Sequence, residues 1–453
     1  MTASPSPKQA SEGPAPHAPL LAPHAPRWLP FAYFLLAHLC LALACEALAA
    51  QPQGFLGPWY QGRTLALVHL VTLGWITGSI LGALYAFTPM AFRVAMPVRA
   101  WDVVVFVIYL VGATGVASHF WLEEPFGMAQ SAAMTLLALG FVALKVWLAL
   151  RAAPLPAQAL LPVRLALANL LVAASFGVTL AWNRALHFLP GSVLANVSSH
   201  AHLAALGWAT MLVLGFGQRL VPMLLPAAVP PPRAVAAIAV LFELGTLGLA
   251  TALLFASPLA ELATGLFATF VAIGLLLALA GMAWMIRNPK PRPPALPRPD
   301  WGILHVGLAM VCLLASVALG LYLAWSAPDD ARLRWVPVYA VLGLLGFLGS
   351  MIVGISARML PTFVWLRAFG GRPWPVAPPP PHALVLREVQ PWCWLAWLAG
   401  IAGLVLGLAR ADPRWVQAGG YALLLAALLD TIALCWLAMG LRGGSKARAE
   451  LSR

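Results

Sequence analysis

A stretch of 22 residues occurs twice in this sequence, and the duplication decides the fold. It reads HLVTLGWITGSILGALYAFTPM at residues 69–90 and HLAALGWATMLVLGFGQRLVPM at residues 202–223, with ten identical positions. A third copy, VLGLLGFLGSMIVGISARMLPT at residues 341–362, keeps shared leucines, glycines and the proline but starts with valine. Each copy is long and apolar enough to cross a membrane as a helix, so the chain is predicted to be built from repeated membrane units.

The composition places the whole chain in the membrane. Hydrophobic residues make up 62% of the 453 residues, charged residues make up 9%, and the mean hydropathy is +0.87. Such a chain has too little polar surface to coat a soluble globule. We therefore predict an all-α, polytopic bundle of twelve transmembrane helices, near residues 28–50, 64–90, 101–122, 126–150, 161–182, 199–225, 233–256, 259–286, 301–325, 336–361, 390–410 and 415–441.

The repeat predicts how these helices are organised. Its copies fall in helices 2, 6 and 10, which are four helices apart. This spacing predicts three four-helix units, about 28–150, 161–286 and 301–441, with pseudo-threefold symmetry.

Small residues and prolines in the repeat predict how its helices pack and where they end. Gly74, Gly78 and Gly82 form a strip in the first copy that would let a neighbouring helix approach closely. Near the end of each copy stands a proline that we expect to mark the end of its helix: Pro89, Pro222 and Pro361.

The distribution of basic residues predicts the topology. Eighteen lysines and arginines fall in the tails and loops on the side of the N-terminus, and six fall in the opposite loops. Basic residues accumulate in cytoplasmic loops, so both termini are predicted to be cytoplasmic, with residues 1–27 a disordered tail and residues 442–453 a basic tail. Topology and contact with anionic membrane lipids then explain the net charge of +13, and no nucleic-acid partner is needed.

Histidines gather at the predicted outer side of the bundle. An imidazole inside a bilayer is costly without a partner, and imidazole is a common ligand of haem iron, copper and zinc. We therefore take His69 and His202 as candidate cofactor ligands, and His200, His202 and His119 as candidate metal ligands. For His119 and for His187 in the outer loop, a simple interfacial position is the alternative interpretation.

The spacing of His200 and His202 leaves two arrangements open. Two residues on a regular helix turn the side chains about 200° from each other. They would therefore serve two different sites, or one site at a frayed helix end.

Other polar residues within the predicted helices are mostly interpreted as packing contacts. His38 and His305 each fit a histidine that hydrogen-bonds to a neighbouring helix. Glu243 and Asp430 could relay protons, but nothing in their spacing supports a path.

The motifs HLxxLGW and SHAHLAALGW, together with twelve helices in three units, resemble the haem-copper oxidase subunit I superfamily. The closest likeness is to its divergent oxidase-like and NnrS-family members, which are haem- and copper-containing membrane proteins linked to nitric oxide and denitrification. The resemblance implies that His69 ligates haem b and that His202 or His200 ligates copper. It also implies a bacterial inner membrane location and a respiratory redox partner.

Departures from the superfamily pattern lead us to expect no oxygen reduction at a haem-copper centre. Helix 10 reads VLGLLGFLG without histidine, helix 7 lacks the adjacent copper histidines, and helix 6 has no HxxxY motif. The sequence therefore does not decide whether the protein is an enzyme. A membrane transporter and a metal-free structural partner of a membrane complex are the alternative functions.

Overall fold

The computed structural model describes residues 28–291, 300–326, 329–370 and 378–439, and both predicted tails lie outside these residues. Within them the protein is an all-helical membrane bundle with twelve helices that are long and apolar enough to span a membrane, as predicted. The twelve spans, numbered in chain order, are α1 (Trp28–Ala50), α2 (Gly62–Phe92), α3 (Ala100–Leu122), α4 (Pro125–Arg151), α5 (Ala157–Leu186), α6 (Val193–Leu224), α7 (Pro232–Ala252), α8 (Pro258–Arg287), α9 (Trp301–Trp325), α10 (Val336–Phe369), α11 (Gln390–Arg410) and α12 (Pro413–Met439).

Most helix ends lie within about four residues of their predicted positions. The larger differences concern α6, which begins at Val193 rather than near 199, and α10, which ends at Phe369 rather than near 361. In both cases the additional residues, VLANVS at 193–198 and TFVWLRAF at 362–369, are mostly apolar. The prediction ended α10 at Pro361, but the helix continues past this buried proline.

The three helices that carry the repeat lie together. α2, α6 and α10 are the longest spans, at 31, 32 and 34 residues, and more than half of the most apolar segment of each is buried. They contact one another pairwise. The symmetry of the complete four-helix units stays a prediction.

An eight-residue segment of π-helical geometry follows the first position of every copy. These segments are Leu70–Thr77, Leu203–Thr210 and Leu342–Gly349, and the sequence did not predict them. π-Helical turns are rare and are often found at functional sites, since they change the direction in which the following side chains point. Their recurrence at one repeat position supports the internal duplication.

The glycine strip of the first copy packs as predicted. A β-carbon at Gly74 would lie 2.5 Å from the Cβ of Cys40, and one at Gly78 would lie 3.3 Å from the Cβ of Ala37. Both neighbours belong to α1, so the strip allows α1 and α2 to approach closely.

Two of the three prolines stand near the ends of their helices, as predicted, and for the third the prediction was wrong. Pro89 and Pro222 lie in the last turn, whereas α10 continues for eight residues beyond Pro361. A proline removes one backbone hydrogen bond, which membrane helices tolerate where neighbouring helices hold the segment. Pro361 is buried, as that explanation requires.

Candidate functional site

A cavity of about 700 Å³ lies at the end of the bundle where α2, α6 and α10 begin, which we call the histidine end. His69, His200 and His202 line it, and the rest of its wall is mostly aliphatic. Ligand cavities in proteins commonly measure about 300–1,000 Å³ and combine apolar walls with a few polar groups. The three histidines contribute imidazole nitrogens to the cavity wall.

His69 is held by its own helix and by α3. Its Nδ1 donates to the carbonyl of Leu65 at 2.7 Å, and its ring stacks on Phe120 with centroids 4.7 Å apart. That carbonyl can only accept, so Nδ1 carries the proton and Nε2 keeps its lone pair. Within the described part of the chain Nε2 has no hydrogen-bond partner, which leaves it available as a ligand.

His200 projects from α6 towards α5. Its ring meets the edge of Phe176 at 6.1 Å, and it fits because residue 177 is glycine: a β-carbon there would lie 2.9 Å from the ring. The buried Nδ1 has no hydrogen-bond partner within 3.5 Å among the described residues, although the ring lies near the backbone of Ala173 in α5. His69 and His200 both line the cavity. The structure therefore brings these two histidines to one site.

His202 faces a different neighbour. Its Nδ1 donates to the carbonyl of Ser198 at 2.8 Å, and its ring stacks on Tyr339 of α10 with centroids 6.1 Å apart. His200 and His202 thus point to different helices, as their two-residue spacing predicted for a regular helix. Both rings still reach the cavity because it extends around α6.

The second and third repeat units share one packing arrangement, in which an aromatic ring lies against a glycine. His200 and Tyr339 each stand two residues before the first position of a copy. Each ring lies against a glycine, Gly177 in α5 or Gly320 in α9. The duplicated units therefore place a ring at the same position of the cavity wall twice, once as imidazole and once as phenol.

The structure does not bring His119 to the cavity. Its Nδ1 bonds to the carbonyl of Gly115 at 2.7 Å and lies 3.4 Å from the hydroxyl of Ser131, between α3 and α4. His187 is exposed at the end of α5. Over the residues that the structure describes, no group of three or more His, Cys, Asp or Glu side chains could hold a metal ion. His200, His202 and His119 are therefore not assembled into one three-ligand site.

Sequence reasoning missed the aromatic and basic residues that accompany the histidines. Arg184 lines the cavity, donates to the hydroxyl of Tyr60 at 3.4 Å and lies over the ring of Phe120 at 5.7 Å. Tyr339 lies in an otherwise apolar stretch of sequence, so it was not predicted to line a site. Its position two residues before the third copy, equivalent to that of His200, was the one signal that could have identified it.

No protein-family model matches the chain, and no curated protein matches it. The function is therefore inferred from the cavity and from the resemblance of the repeat to known membrane proteins.

Proposed function

We propose that the protein is a haem-binding membrane protein in which His69 and His200 would hold the haem iron. The observation that carries this proposal is that two imidazoles from different helices line one apolar cavity, each with a ring nitrogen that has no hydrogen bond among the described residues. For the buried Nδ1 of His200, the lack of a partner costs free energy. Coordination to haem iron would give both imidazoles a partner.

Haem suits these residues better than copper does. Haem iron needs only one or two axial imidazoles, whereas protein copper sites commonly use three nitrogen or sulfur ligands. The described residues contain no group of three side chains that could hold a metal ion, so copper in the same cavity is the second candidate. Its support is the likeness of the SHAH sequence to copper-containing relatives.

The protein residues would orient the ligands and control the surroundings of the iron. The carbonyl of Leu65 sets the tautomer of His69, and Phe120 and Phe176 restrict the two rings. Arg184 supplies positive charge at the cavity wall, where it suits the carboxylates of a haem. Bound haem would supply electron transfer, and the apolar pocket would exclude water from the iron.

The resemblance supports a role in respiratory or nitrogen-oxide metabolism. We propose a bacterial inner-membrane protein with cytoplasmic termini that exchanges electrons with a respiratory redox partner. The eighteen-to-six distribution of basic residues supports this orientation.

The test is the visible absorption spectrum and metal content of the full chain purified in detergent. We expect a haem b spectrum with two imidazole ligands. His69→Ala and His200→Ala should each remove one ligand and convert the haem to a five-coordinate form or release it. His119→Ala is the matched control, because this histidine bonds to Gly115 away from the cavity, and it should leave the spectrum unchanged.

Three results would contradict the proposal. Copper without haem would favour the second candidate. Failure to bind haem after addition of excess hemin would favour a transporter or a structural partner. A haem spectrum unchanged in both His69→Ala and His200→Ala would place the ligands elsewhere.

A further inference from the structure

A second polar site joins α1 and α12, away from the cavity. The Nε2 of His38 lies 3.0 Å from Oδ2 of Asp430, and the Nδ1 of His38 lies 2.7 Å from the carbonyl oxygen of Phe34. The His38 side chain is 6% exposed and that of Asp430 is 26% exposed.

This pair lies near the middle of the membrane. His38 is ten residues from the start of α1, which corresponds to about 15 Å of helix rise. Asp430 is nine residues from the end of α12, or about 14 Å. Ionisable groups at that depth are costly and usually have a functional role.

The two hydrogen bonds determine how many protons the pair holds. The carbonyl of Phe34 can only accept, so Nδ1 of His38 must carry a proton. The bond to Asp430 then needs one further proton between Nε2 and the carboxylate. If Nε2 holds it, the pair is imidazolium with carboxylate; if the carboxyl group holds it, both partners are neutral. In both forms the pair is uncharged overall and shares one proton.

We infer that His38 and Asp430 form an intramembrane proton-binding site that holds one shared proton near the middle of the membrane. Imidazole and carboxylate can each hold this proton, and an imidazole can accept a proton at one ring atom and release one from the other.

A thiol close to the pair does not compete for the proton. Cys393 of α11 directs its thiol to the carbonyl of Ala426, one helical turn before Asp430, at 3.7 Å. The site does not depend on haem, so it is tested separately from the proposed function.

The experiment that tests this inference detects the shared proton. The full chain, labelled with ¹⁵N-histidine and placed in phospholipid vesicles, is studied by NMR of the imidazole nitrogens and by infrared spectroscopy of the carboxyl groups. We expect either an imidazolium or a protonated carboxyl group that is lost in Asp430→Asn. The conservative variant Asp430→Glu should restore it.

His38 provides the assignment, because the imidazole signal of the pair should disappear in His38→Gln. If that variant does not fold, the neutral imidazole expected in Asp430→Asn identifies the same signal. A wild-type His38 that is neutral and protonated only at Nε2, beside an ionised Asp430, would overturn the proposal.

Discussion

A histidine on a membrane helix must satisfy two ring nitrogens, and in this protein the backbone satisfies one of them repeatedly. His38, His69, His119 and His202 each donate from Nδ1 to the carbonyl four residues earlier, at 2.7–2.8 Å. The chemistry of each residue is therefore set by what its Nε2 meets. For His38 that is Asp430, and for His69 it is the cavity.

Gly177→Ala tests whether the position of His200 controls the cavity. The added β-carbon would lie 2.9 Å from the imidazole, so the ring must move. We expect haem affinity to fall by roughly 10- to 100-fold, as for other residues that support a ligand. A titration of the detergent-purified protein with hemin measures this change.

Gly281→Ala is the matched control for this prediction. Nothing lies within 4 Å of a β-carbon at position 281, so its hemin titration should match that of the wild type. Equal affinity in Gly177→Ala would show that His200 does not have to occupy its present position.

At the scale of elements, the same glycine position recurs in the three helices of the repeat. Gly74, Gly207 and Gly346 are the sixth residues of their copies, and each lies against the first helix of its own unit, at Cys40, Asn169 or Cys312. Each glycine also lies within a π-helical segment. Close helix contact and altered helical geometry therefore occur together, next to the residues that line the cavity.

Gly74→Ala should lower stability, because its β-carbon would overlap Cys40 of α1. We expect a loss of about 1–3 kcal/mol, the usual effect of overpacking. Thermal unfolding of the purified protein in detergent measures it. Gly307→Ala, where a β-carbon has open space, should be neutral, and Cys40→Gly should partly restore Gly74→Ala. No restoration would mean that the contact between α1 and α2 is not the cause.

At the scale of the whole molecule, the twelve spans of the described residues predict that the start of α1 and the end of α12 lie on one side of the membrane. The excess of basic residues on that side predicts that it is cytoplasmic. A reporter enzyme that is active only in the cytoplasm, fused to the C-terminus, should therefore be active. A fusion that is active only as a periplasmic reporter would contradict the topology.

The bundle should not sustain oxygen reduction. That reaction in the oxidases needs a haem and a copper held face to face by imidazoles of helices 6, 7 and 10, and here α7 and α10 contain no histidine. Oxygen uptake by the purified protein with a reduced quinol or cytochrome donor should stay at background. Sustained uptake that is lost in His69→Ala would reveal an active centre with a different ligand set.

The sequence by itself determined the number and the approximate limits of the membrane spans. Hydrocarbon requires every backbone polar group to be bonded within the helix, so apolar runs of about 20 residues have one stable structure. It also identified the repeat and the contact of the glycine strip with a neighbouring helix. It placed His69 and His202 at one end because position along a helix follows from residue number.

Only the tertiary structure decided which side chains meet. His38 and Asp430 are 392 residues apart, and their contact depends on which faces of α1 and α12 pack together. His200 lies near His69 because Gly177 leaves space for its ring, whereas His119 turns towards Ser131 instead. Lateral contacts depend on helix rotation and on neighbouring surfaces, which residue spacing along one helix does not determine.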